Sequence, residues 1–133
     1  MTTSKPTGGS VFLVEDEVMI RMMVADMLEE LGHTVAAEAG RIDEALGILQ
    51  STQFDLAIID VNLAGHSIYP VAQAVKALKR PFILATGYGA LPDELQGNPS
   101  LSKPFQIEQL AEMIERVAIE IGSHPVPGCT KRE

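Results

Sequence analysis

The chain has 133 residues, enough for one domain with a sizeable core and too few for two. Apolar residues make up 46% of it, which excludes a disordered chain, and a lone cysteine, Cys129, excludes an internal disulfide framework. A net charge of −8 argues against direct nucleic-acid binding, which needs a basic footprint, and no apolar run reaches the roughly 18 residues of a membrane span.

The N-terminus, MTTSKPTGGS, lacks the apolar stretch of a signal peptide, and residues 1–9 read as a flexible arm. SVFLVE, residues 10–15, is a short apolar run ending in acids and predicts a strand. Residues 16–31 take up a helical period, with Ile20, Val24, Met27, Leu28 and Leu31 on one face and Gly32 as the stop. HTVAAEA predicts a second strand and RIDEALGILQ a short amphipathic helix. FDLAIID predicts the third strand. Residues 67–79 predict a helix with Ile68, Val71, Val75 and Leu78 inward and Pro70 in its first turn. PFILAT predicts the fourth strand. Residues 88–99 hold two prolines and two glycines, so any helix there is short and poorly specified. SLS, before Lys103, predicts a brief fifth strand. Residues 106–121 carry Ile107, Leu110, Ala111, Ile114, Val117, Ala118 and Ile121 at helical spacing. The division is an arm over 1–9, a domain over 10–122 and a flexible tail over 123–133.

Strand and helix alternate five times. Continuous apolar strands between amphipathic helices imply a doubly wound parallel α/β sheet covered on both faces. Ligands bind such sheets beyond the carboxyl ends of the strands. Those ends carry Glu15 and Asp16, Asp60, Thr86 and Lys103. Crowded carboxylates repel, so they either raise a pKa or hold a cation. Mg²⁺ takes oxygen ligands and keeps several waters, and Glu15, Asp16 and Asp60 suit it, with the Asn62 backbone carbonyl as a further ligand. A carboxylate beside such an ion can act as a nucleophile on phosphorus, with the Lys103 ammonium and the Thr86 hydroxyl serving the phosphoryl oxygens. Taken alone, Glu15 and Asp16 are explained as well by capping the helix that follows them.

Together, "VFLVEDE", "LAIIDVNLAG", "ILATGYG" and "LSKPF" resemble the receiver domain of two-component response regulators, over about residues 10–121. The resemblance implies a flavodoxin-like (βα)5 fold with strand order 2-1-3-4-5. It implies Asp60 as phospho-acceptor, Mg²⁺ at Glu15, Asp16, Asp60 and the Asn62 carbonyl, Thr86 as switch hydroxyl, Lys103 as phosphate partner and a cis bond before Pro104. "PFILATGYG" is similar to the Phe-Ala-Thr-Gly-Tyr pattern of an alphaproteobacterial, often single-domain, receiver subgroup, with Leu84 where that pattern has Phe. Ser100 stands where many receivers have an aromatic switch residue, which makes Tyr88 the switch candidate.

The implied partners are a sensor histidine kinase or a histidine phosphotransfer protein, in the cytoplasm, with the chain a monomer or weak dimer and not an enzyme. About a dozen residues follow the last helix, too few for an output domain, so output is expected by protein contact or phosphorelay. Met19, Met22 and Met23 lie off the core face of the first helix and suit an adaptable contact surface. His33, His66 and His124 are scattered and read as surface histidines. A phosphohydrolase would want a second acid where Asn62 stands. The remaining alternative is a pseudo-receiver, an interaction module that works without phosphate.

Overall fold

The computed structural model describes residues 9–87 and 91–123, the last six of these as backbone only. The elements in chain order are β1 (Ser10–Val14), α1 (Val18–Glu30), β2 (Thr34–Ala39), α2 (Ile42–Leu49), β3 (Leu56–Asp60), β4 (Asn62–Leu63), β5 (His66–Ser67), α3 (Tyr69–Ala77), β6 (Phe82–Thr86), a 3-10 turn (Asp93–Leu95), β7 (Ser100–Ser102) and α4 (Ile107–Ser123). The main sheet is parallel with order β2-β1-β3-β6-β7. That is the expected 2-1-3-4-5 order once the small β4–β5 hairpin is set aside.

Strand character follows position in the sheet. In β1, β3 and β6 nearly every residue is buried, as strands covered on both faces require. Edge strand β2 alternates instead, with Thr34, Ala36 and Glu38 exposed, and its polar outer positions suit an open edge. Side chains on a strand point alternately to opposite faces. Phe12, Val14, Ala57, Ile59, Phe82 and Leu84 therefore pack with Ala45, Leu49, Val71 and Val75 of α2 and α3. Val11, Leu13, Leu56, Ile58, Ile83 and Ala85 pack with Val24, Leu28, Leu110, Ile114 and Val117 of α1 and α4. Each fully buried large side chain contributes about 1.5–3 kcal/mol, so the two clusters are what hold the helices to the sheet.

Four differences from the sequence reading have physical causes. The five-fold strand–helix alternation breaks once: among the described residues the fourth crossover carries a single 3-10 turn, whose Leu95 plugs the α2–α3 cluster. A hairpin, β4–β5, follows β3, with Ala64 and Gly65 both at positive φ as a two-residue primed turn requires. Leu78 is 47% exposed, not inward, because α3 ends at Ala77. The chain turns there through Lys79 at φ 61, and the Arg80 N–H reaches the Val75 carbonyl. His33 is half-buried rather than a surface residue. Burial lowers its pKa, and Nδ1 accepts the Gly9 N–H at 3.0 Å. The Lys103–Pro104 bond is cis, as expected. No helix among the described residues is long and apolar enough to cross a membrane.

Candidate functional site

Register brings the acids together. Val14 is level with Ile59, so the next residues in line, Glu15 and Asp60, leave neighbouring parallel strands at the same height. Both continue the parity that faces α1 and α4. Glu15 keeps the ladder for one residue more, its N–H donating to the Ala39 carbonyl at 2.9 Å. Both carboxylates are buried, at 3% and 4% exposure, while Asp16 beside them is half-buried. One oxygen of each of the three lies within 4.8 Å of the others.

Lys103 arrives from β7. Its N–H donates to the Thr86 carbonyl at 2.7 Å, which fixes the residue at the rim. Its ammonium then stands 3.3 Å from Glu15 Oε1 and 3.2 Å from Asp60 Oδ2. Burial alone would lower the Lys103 pKa, but the charges of Asp60 and Glu15 and hydrogen bonds to both outweigh it and raise it above the ordinary lysine value. Glu15 is pushed up to about 7, first by burial and then by the Asp60 charge, against the pull of the Glu17 N–H and of Lys103. The Lys103 ammonium thus pairs with two of the three acids, while Asp16 stands beside them half-buried. The donor set is all oxygen, anionic and convergent, so it fits a hard divalent cation such as Mg²⁺.

The other expected residues fall as follows. Thr86 is buried at the end of β6, beside β7. Asn62 is exposed; its N–H donates to Asp60 Oδ1 at 3.2 Å, and its side chain accepts the Gly65 N–H at 2.8 Å. Tyr88 lies outside the described residues, as do His124 and Cys129. The capping explanation does not hold: α1 has no side-chain cap hydrogen bond, and Glu15 Oε2 instead accepts the N–H of Glu17, the residue before the helix, at 3.2 Å. Arg21 was not legible as a site residue, since it reads as an ordinary polar position of a helix. It donates to the Glu15 carbonyl at 2.9 Å.

Three comparisons show what the chain is similar to. The family described as "Response regulator receiver domain" matches residues 11–115. The sensory transduction protein LytR of Staphylococcus haemolyticus is 32% identical over 117 residues, 84% of this chain and 46% of that protein. The chain thus spans about half the length of that relative. The chemotaxis protein CheY of Pseudomonas aeruginosa is 28% identical over 116 residues, 80% of this chain and 94% of that one. The solution structure of SdrG from Sphingomonas melonis Fr1 superposes with a TM-score of 0.74 at 34% identity, covering 82% of this chain and 95% of SdrG.

Proposed function

The chain belongs to the response regulator receiver domain family, and on that premise we propose that it accepts a phosphoryl group on Asp60 from a phosphohistidine of a sensor histidine kinase or histidine phosphotransfer protein. Family membership puts it among signalling modules rather than enzymes. The observation that carries the proposal is the convergence of the Glu15, Asp16 and Asp60 carboxylates within 4.8 Å, with Lys103 on Asp60 at 3.2 Å.

The step is an in-line displacement. An Asp60 carboxylate oxygen attacks phosphorus, the phosphorus–nitrogen bond of the donor breaks, and its electron pair stays with the imidazole, which is then protonated. Glu15, Asp16, Asp60 and the Asn62 carbonyl would hold Mg²⁺. When bound, the ion would supply charge neutralisation on the phosphoryl oxygens. Lys103 gives up a carboxylate partner for a phosphoryl oxygen, and Thr86 donates a hydrogen bond to another. Burial makes both contacts stronger than they would be in water. Drawing Thr86 and Lys103 toward the phosphoryl group shifts the balance between two states of the surface above β6 and β7. Tyr88 is the switch candidate in place of the aromatic absent at Ser100.

Docking falls to α1, which flanks the site. Met19 is 80% exposed, and Met22, Met23 and Val18 are exposed beside it. Flexible, polarizable methionines suit contact with partner helices. We place the chain in the cytoplasm as a receiver, monomer or weak dimer, signalling by protein contact or phosphorelay.

The test is intact-mass spectrometry after incubation with Mg²⁺ and acetyl phosphate, wild type beside Asp60→Asn. A single labile phosphate on wild type alone is expected. No adduct on wild type would overturn the phospho-acceptor reading in favour of an interaction module independent of phosphate.

A further inference from the structure

We propose that Arg21 is a positioning residue for the cation-binding acids, acting on the backbone that carries Glu15 and Asp16; this rests on the metal-site reading above. The guanidinium runs from α1 to the junction of β1 and β2. Nε pairs with Glu38 Oε1 at 3.1 Å, near the end of β2. Nη1 donates to the main-chain carbonyl of Glu15 at 2.9 Å. Two contacts from one planar fork fix the orientation of the group, which a lysine ammonium cannot reproduce.

The carbonyl so held belongs to the peptide that joins Glu15 to Asp16. Fixing that plane fixes the directions in which both side chains leave the backbone. The same segment is restrained from its other side by the Glu15 N–H on the Ala39 carbonyl, 2.9 Å, and by Glu15 Oε2 on the Glu17 N–H, 3.2 Å. Without Arg21 the carbonyl side of the turn loses its side-chain anchor. Glu38 also cancels the guanidinium charge. An unpaired arginine this close to the acids would compete with the cation they are arranged to hold, so the pair works through geometry and not through net charge.

Gly40 is the third member. A Cβ there would lie 3.0 Å from Arg21 Nη1, 3.7 Å from the Glu15 carbonyl oxygen and 3.8 Å from Asp16 Cα. Gly40 is not among the glycines at positive φ. What glycine supplies is room for the guanidinium to reach the carbonyl. Adding a methyl group would press on the end of a flexible side chain rather than on backbone, so it disturbs the clamp while sparing the fold.

The experiment is a Mg²⁺ titration followed by backbone amide NMR shifts on wild type, Arg21→Lys and Gly40→Ala, with thermal unfolding of each recorded without Mg²⁺. Outer residues that orient metal ligands typically cost 10–100-fold in affinity when lost, so Arg21→Lys is expected to weaken Mg²⁺ binding about tenfold although it keeps the charge. Gly40→Ala should weaken it by a smaller factor, more than about twofold. The amides of Asp16 and Glu17 should be displaced before any Mg²⁺ is added, while those of α4 stay in place. A merely structural role would lower the melting temperature and leave the affinity of the folded protein unchanged. Binding within about twofold of wild type in both variants overturns the proposal. If Arg21→Lys does not fold, Gly40→Ala alone decides. A wild type that binds no Mg²⁺ overturns the metal-site reading itself, which is a separate outcome.

Discussion

Strand β3 carries an aspartate at each end, and the two have different lives. Asp55, just ahead of the strand, is exposed and accepts the Ser10 N–H at 2.9 Å and the Ser10 hydroxyl at 3.3 Å. It ties the start of β1 to the start of β3. Asp60, at the other end, is buried against a second carboxylate and shares one ammonium with it. The residue type is the same and the strand is the same. What differs is that register brings Glu15 level with Asp60, while a serine meets Asp55. What sets the second place apart is that several strand ends deliver acids to it around the Lys103 ammonium.

The largest test of that contrast is exchange of each aspartate. Asp60→Asn should reduce phosphorylation by acetyl phosphate to background in intact-mass spectra, whereas Asp55→Asn should be labelled like wild type. Equal labelling of the two variants would erase the distinction. Next comes Lys103→Ala. It should permit some phosphorylation but lose the amide shifts that follow it. Two buried acids would be left without their ammonium, at roughly 1–3 kcal/mol of stability in denaturant unfolding. A full response in this variant would remove Lys103 from the coupling.

Glu15 gives a pH-dependent version of the same contrast. Its pKa is raised from 4.5 to about 7, so the folded protein holds a proton that the unfolded chain releases. Stability without Mg²⁺ is therefore undiminished at the low end of that window. It falls as pH rises from about 4.5 to 7, with the loss complete above it. Melting curves between pH 5 and 8 should show this decline, and Glu15→Gln should flatten it. Only ionised Glu15 can serve as a ligand, so Mg²⁺ should bind more tightly as pH rises, by at most about tenfold per unit below 7. A titration with no such slope would contradict the raised pKa. The smallest effect is expected at the quiet end of the strand: Asp55→Asn should cost about 0.5–1.5 kcal/mol in denaturant unfolding and leave Mg²⁺ affinity unchanged.

The contrast also marks what the sequence could disclose. Continuous apolar runs located β1, β3 and β6, and the polar residue that stopped each run was the site residue. A charge at the end of a buried strand is legible because it breaks the pattern. Asn62 to Ser67 had no such pattern: strands of two residues show no period, and the Ala64–Gly65 turn lacks the usual Asn-Gly signal. Leu78 kept helical spacing past the point where α3 had already turned, and spacing alone cannot mark that end. Met113 is buried in the α4 face without having been foreseen, since it sits between the better-spaced Leu110 and Ile114. Arg21 was hidden for a different reason. Its contact at the site is a main-chain carbonyl, and a carbonyl has no letter in the sequence.

Strand order has a consequence for how the molecule is made. With the order β2-β1-β3-β6-β7, each strand, taken as it leaves the ribosome, joins an edge of the sheet that is already there. β2 closes one side of β1, β3 closes the other, and β6 and β7 extend outward from β3 in turn. No strand has to be wedged between two that have paired, so assembly can keep pace with synthesis from the N-terminus. The acids of β1 and β3 are then side by side before Lys103 has been made. A sheet of β1 and β3 alone would hold those acids together without the ammonium that the residue after β7 brings to the rim.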